Sequence, residues 1–190
     1  LKDTDGDGRF DESCVFARDL MLPEGTMFYD GSLYVAAPPS IWKLTDTNDD
    51  GVADQREEWF EGETVTHCAN DLHGPYLGPD GFIYWCKGAF AEQTHVVHGR
   101  EWKTQAAHIF RARPDGSNFE PVTTGGMDNP VDIAFTPTGD RFFTSTFLDH
   151  PGDGKRDGIA RAIYGGVHGK DHHALEDHAR TGNLLPVLVH

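Results

Sequence analysis

Short apolar runs that fold back on themselves through a polar turn recur at three places along the chain. They are Met27-Phe-Tyr-Asp30-Gly31-Ser-Leu-Tyr-Val-Ala36, Tyr76-Leu-Gly-Pro-Asp80-Gly81-Phe-Ile-Tyr-Trp85 and Ile133-Ala-Phe-Thr-Pro-Thr138-Gly139-Asp-Arg-Phe-Phe-Thr144. Each is a strand, a turn ending in glycine, and a second strand; Asp-Gly and Thr-Gly suit a turn with one left-handed residue. Each is followed by a further strand candidate, at Ile41–Leu44, His108–Ala112 and Ile159–Tyr164. The turn glycines lie 50 and then 58 positions apart.

A period near 50 residues with four short strands per unit predicts an all-β protein of β-propeller type. About three to four blades fit into the 190 residues. Propellers close with roughly four to eight blades, so the chain reads as one partial propeller domain, 1–190, of a larger and commonly six-bladed ring. The other fold that such hairpins allow is a β-sandwich. Residues 89–107, between the second hairpin and its next strand, read as an insertion loop, either a lid or wall over a site or a polar excursion.

Two acidic segments interrupt the pattern. In Asp46-Thr-Asn48-Asp-Asp50-Gly51-Val52-Ala-Asp54-Gln-Arg-Glu57 side-chain oxygens fall at loop positions 1, 3, 5, 9 and 12, with glycine at 6. Calcium takes six to eight oxygens, and this spacing supplies them from Asp46, Asn48, Asp50, the Val52 carbonyl, Asp54 and a bidentate Glu57. Asp3, Asp5, Asp7 and Asp11 repeat the opening of the pattern, but position 12 is Cys14. There Glu12 could substitute, or the loop could pair with another element. Strand-like flanks, rather than two amphipathic helices, predict a static clamp in a hairpin and not a helix-opening sensor. The bland alternative for both loops is a solvated acidic turn.

Charge agrees with this picture. The net charge is −15, and residues 1–63 hold 16 acidic against 5 basic residues. Nucleic acid is excluded as an expected partner, since phosphate contacts need a basic face. Bound calcium would relieve the concentrated charge, and it points to an extracytoplasmic setting: periplasmic, secreted, or membrane-associated on the outer side. No apolar stretch approaches the ~20 residues of a membrane span. Three cysteines, Cys14, Cys68 and Cys86, allow at most one pair. The first residue is Leu1 and no leader is visible, so the chain is expected to be a piece of something longer.

Pro23-Glu-Gly-Thr-Met27, Asn70-Asp-Leu-His73-Gly-Pro with Gly78-Pro-Asp-Gly81, and Asn129-Pro130 with Ala134-Phe-Thr-Pro137 together resemble bacterial membrane-bound dehydrogenase-like proteins. That family is similar to the soluble quinoprotein glucose and sorbosone dehydrogenases. The resemblance implies oxidation of a sugar or other alcohol with pyrroloquinoline quinone (PQQ), with an electron-transfer partner or further blades of the same protein. It implies that His73 is the general base, a role suited to imidazole, oriented by Asn70 and Asp71. It also implies that Asn129 lies on the substrate and cofactor side.

Two features depart from the family. Asp128 stands where an arginine usually precedes the asparagine, and a carboxylate cannot make a guanidinium's bidentate bonds. The Cys-x-x-Cys-His haem motif of many members is missing. Asp153 and Asp157, ahead of Tyr164-Gly-Gly-Val-His-Gly169, are further calcium ligands on the same analogy. His168, His172, His173, Asp177 and His178 read as a solvated loop rather than a transition-metal site, lacking a helical histidine pair or a Cys-x-x-Cys partner. Two other functions fit the sequence. One is a propeller lactonase or esterase with a metal held by Asn70, Asp71, Asn129 and Asp132; the other is a non-catalytic, calcium-stabilised binding module.

Overall fold

The structure is a computed structural model that describes residues 1–63, 65, 71–147, 157–169, 175, 185 and 188–189. The strands form where the apolar runs lie. The first sheet is an antiparallel meander in chain order: β1 (Gly25–Tyr29), β2 (Ser32–Ala37), β3 (Ser40–Thr45) and β4 (Gln55–Glu61). Next come β5 (Leu72–Leu77) and β6 (Ile83–Lys87), a separate two-stranded hairpin of β7 (Gln93–Val97) and β8 (Arg100–Thr104), then β9 (Ala107–Ala112). The 16-residue β10 (Glu120–Phe135) follows, with β11 (Arg141–Phe147), β12 (Asp157–Arg161) and the short β13 (Gly166–Gly169).

β10 is shared. Its first part, from Glu120 to Gly125, pairs with β9 and closes a second meander β5-β6-β9-β10. Its second part, from Met127 to Phe135, pairs with β11 and opens a third meander with β12. β13 runs parallel to the middle of β10, and its carbonyl at His168 lies where a side chain on Gly125 would meet it at 2.8 Å. The three turn glycines all have positive φ: Gly31 (74°), Gly81 (74°) and Gly139 (90°). This is the left-handed region the Asp-Gly and Thr-Gly turns require.

Packing follows strand alternation. Ala36, Ile41 and Phe60 of the first sheet meet Leu72, Trp85 and Phe110 of the second. The opposite face of the second, with Tyr84, Cys86, Ile109 and Val122, meets Met127, Ile133, Phe143 and Ala160 of the third. β6 is therefore buried at every position, which explains its unbroken apolar run Ile83-Tyr-Trp-Cys. The outer face of the first sheet is covered by Phe16, Ala17 and Leu20. Two four-stranded meanders and a third with three strands among the described residues, stacked face on face, make an all-β architecture consistent with a β-propeller-like fold. Among the described residues there is no α-helix, and no helix is long and apolar enough to cross a membrane.

The insertion 89–107 is mostly the hairpin β7-β8, not an open loop. It docks by its aromatic side: His95 lies 5.2 Å from Phe119 and Trp102 lies 4.9 Å from His108, ring centre to centre. At the turn end of the second sheet, Arg111 bridges Asp80 (3.0 Å) and Glu120 (2.6 Å) and stacks on Phe82. Tyr84 donates to Asp80 at 2.6 Å and accepts from Arg141 of the third sheet. At the other end of β5 and β6 stand the polar side chains of Asp71, His73 and Lys87.

Candidate functional site

Three first strands converge at this second end. β1 passes so close to β5 that a Cβ on Gly25 would sit 2.2 Å from the carbonyl oxygen of Gly74. Only glycine fits there. The approach brings Glu24 against the neighbouring His73, which is 8% exposed. Glu24 Oε2 lies 3.2 Å from His73 Nδ1, and the opposite ring nitrogen, Nε2, lies 2.9 Å from Asn129 Oδ1 on β10. Thus the two residues assigned by resemblance, His73 and Asn129, are brought into contact.

Proline chemistry aims both of them. His73-Gly-Pro75 and Asn129-Pro130 each lack a backbone N–H where the ladder would need one. The β5–β6 register shifts between His73 and Tyr76, and the β10–β11 register shifts on both sides of Asn129-Pro130. Such bulges re-aim side chains at the ends of sheets.

The surroundings are acidic and desolvated. Asp71 and Lys87 are fully buried, with Lys87 Nζ 3.4 Å from Asp71 Oδ1. Burial raises the Glu24 carboxyl above its ordinary value; His73 and Lys87 pull it down and Asp71 pushes it up. Cys86, the cross-strand partner of His73, is a free, buried thiol pushed well up by burial and then by Asp132. Tyr76 is raised by burial first and then by Cys86 and Asp132, and its hydroxyl donates to the Val131 carbonyl at 3.1 Å.

Of the residues expected for a metal-dependent hydrolase, Asn129 faces the His73 ring, Asp71 lies 3.4 Å from Lys87, Asp132 stands on β10, and Asn70 lies outside the described residues.

The acidic loops share one conformation, bond for bond. Gly6 and Gly8 donate to the carboxylate of Asp3 as Asp49 and Gly51 do to that of Asp46. Thr4 Oγ1 donates to Asp11 as Thr47 Oγ1 does to Asp54. Asp11 N donates to Lys2 O and Asp54 N to Thr45 O. The amide hydrogen bond from Gly8 leads those that lower Asp3, and Thr4 does the same for Asp11. For Asp46, desolvation opposes the shift, but four amide donors led by Gly51 lower it.

Carboxylate oxygens of Asp3, Asp5 and Asp11 gather within 4.8 Å of one another. Asp7 accepts from Arg9 N and Asp50 from Val52 N, while Asn48 donates to Asp50. Glu57, expected to close the second loop, stands on β4 facing Lys43 (3.8 Å) and is 65% exposed. The two loops touch: Cys14 Sγ lies 3.3 Å from Gly51 O, and Ala53 N donates to Phe16 O. Cys14, at position 12 of the first loop, meets the second loop in place of a closing carboxylate.

At the other end of the chain, His168 departs from the solvated loop expected for it. It is 1% exposed on β13, edge-on to Phe143, and among the described residues neither ring nitrogen has a hydrogen-bond partner. Asp157 accepts from Thr146 at 2.8 Å. Asp153, His172, His173, Asp177, His178 and Cys68 lie outside the described residues.

The family model for a domain of unknown function, DUF7133, matches residues 1–150. This chain belongs to the DUF7133 family. Both acidic loops and the Glu24–His73–Asn129 row lie within the DUF7133 match. No curated protein matches the chain. Among solved structures the DUF7133 chain is similar to a Thermus thermophilus protein provisionally described as an oxidoreductase (glucose dehydrogenase). The two share 15% identity with a TM-score of 0.36, over 79% of this chain and 65% of that one. The chain thus spans less than two thirds of that protein's length.

Sequence reasoning missed Glu24 as a site residue. A signal was present: Glu24, His73 and Asn129 stand seven, eight and ten positions ahead of Gly31, Gly81 and Gly139, so each repeat supplies one polar residue shortly before its turn.

Proposed function

We propose that this chain is a calcium-binding, β-propeller-type domain of a dehydrogenase-like protein that acts on the hydroxyl of a sugar or other alcohol. The observation that carries the reading is His73, a buried imidazole held between Glu24 and Asn129 by three successive first strands. A ring so placed can take the hydroxyl proton at Nε2 while the Asn129 amide binds the oxygen. The family resemblance adds the expectation of PQQ as hydride acceptor. The quinone carries carboxylates, however. Around His73 the described residues offer Glu24, Asp71 and Asn129, and the nearby cation, Lys87, is buried against Asp71. These residues do not fit an anionic cofactor by themselves, so its cationic contacts would have to come from elsewhere. Calcium at Asp3–Asp11 and Asp46–Asp54 is the second part of the proposal, supported by the shared loop conformation, with an extracytoplasmic location where calcium is plentiful.

The test is dye reduction by the purified protein with a panel of sugars and alcohols, with and without PQQ, beside a thermal-shift titration. Alcohol-dependent reduction that falls about 100-fold or more in His73→Asn supports the reading. No turnover together with no PQQ-induced shift rejects the dehydrogenase and leaves a calcium-stabilised binding module.

A further inference from the structure

We infer that Glu24 is the positioning residue of this site: its carboxylate fixes the His73 proton on Nδ1, so that Nε2 meets the substrate hydroxyl as a lone pair. The inference rests on the proposed role of His73, and it adds a residue to which no role was assigned.

Four observations carry it. Glu24 is anchored by its own backbone, since its N–H donates to Ala36 O at 2.8 Å and extends the first sheet by one rung. The Gly25–Gly74 contact fixes the distance between that rung and β5. Oε2 is buried and, among the described residues, accepts no hydrogen bond. At 3.2 Å from Nδ1 it is within ion-pair range without hydrogen-bond alignment, a gap that a small turn of the carboxylate closes.

The ring edges then decide the tautomer. Protonated at Nε2, the neutral ring would point the Nδ1 lone pair at a carboxylate, and two acceptors at that distance repel. Protonated at Nδ1, it faces Glu24 as a donor and leaves Nε2 open towards Asn129. In the empty site the Asn129 amide satisfies this state by turning its NH2 to the ring, an exchange of two isosteric groups; the entering hydroxyl takes that place at Nε2, and the displaced NH2 donates to the substrate oxygen instead. When the substrate hydroxyl enters, its O–H bond breaks, a new N–H bond forms at Nε2, and the imidazolium is balanced by Glu24. Asp71 and Lys87, 3.4 Å from each other, also act on Glu24, the first against its charge and the second for it.

The test reads the tautomer directly, by long-range 15N–1H correlation of the ring nitrogens in 15N-histidine-labelled protein. The eleven histidines are sorted by the signal lost in His73→Asn. The expected wild-type pattern is Nδ1–H. Glu24→Gln, whose amide can donate or accept, shifts His73 towards Nε2–H at unchanged near-ultraviolet circular dichroism, and Glu24→Asp restores Nδ1–H. In a turnover assay Glu24→Gln lowers kcat about 100-fold with KM within about twofold. A wild-type Nε2–H tautomer, or a tautomer unmoved in Glu24→Gln, overturns the inference. A tautomer that shifts as expected in a protein that oxidises no alcohol upholds Glu24 and rejects the oxidation reading instead.

Discussion

His168 is a buried imidazole with no hydrogen-bond partner among the described residues, and burial alone pulls its pKa down to about 4, against an ordinary value of 6.5. The native state therefore holds the ring neutral. The sign follows from linkage: the unfolded chain takes up the proton first, so stability is complete above about pH 6.5 and falls as pH drops towards 4, by on the order of 3 kcal/mol. His168→Leu is expected to remove that acid-dependent loss, measured as a flatter plot of unfolding free energy against pH. A variant as acid-sensitive as the wild type would show that the ring finds a partner in solution. Residues of this kind were illegible in the sequence. His168 in Tyr164-Gly-Gly-Val-His-Gly169 reads as part of a solvated loop because its burial comes from Gly125, some forty residues away, which lets β13 lie against β10. Glu24 escaped for a related reason: it precedes a strand, and only the Gly25–Gly74 contact shows that it faces His73.

At the scale of elements, the hairpins were legible because their signals are local. Asp-Gly and Thr-Gly turns between apolar runs need no distant partner to be read, and the strands stand where those runs predicted. The acidic loops were legible in outline, since the spacing of Asp46, Asn48, Asp50 and Asp54 is itself the signal. The position of Glu57 was not, because the β3–β4 ladder claims it: the register sets it opposite Lys43. Bond-for-bond likeness of the loops predicts two calcium sites of one type. Calorimetric titration is expected to give two calcium ions per chain, with Asp3→Asn and Asp46→Asn each losing one. Loss of both ions in either variant would mean that the loops bind as a coupled pair through Cys14 and Gly51.

Across the whole molecule, the loops and the site share one stretch of chain. The first loop rests on the second, Phe16–Leu20 then cover the outer face of the first sheet, and four residues later the chain delivers Glu24 to His73. Chelation is therefore expected to lower the melting temperature and to speed hydrogen exchange in residues 15–24 more than in β6 or β9. Equal exchange with and without chelator would separate the loops from the site. The stacking of the sheets was only half legible. Period and strand count predicted repeated meanders, but nothing local announced that the second and third would share a strand.

That shared strand shapes what the protein can tolerate. Within 89–107 the turn of the β7-β8 hairpin is a place where chain can be added or cut at small cost. Along β10 there is none: from Glu120 to Phe135 the backbone is held by β9 or β13 on one stretch and β11 on the next. A protease nick, a permuted terminus or an inserted domain in this span would unzip two sheets together. Variation in length should collect at the β7-β8 hairpin and spare the splice, and the second and third meanders should melt as one cooperative unit.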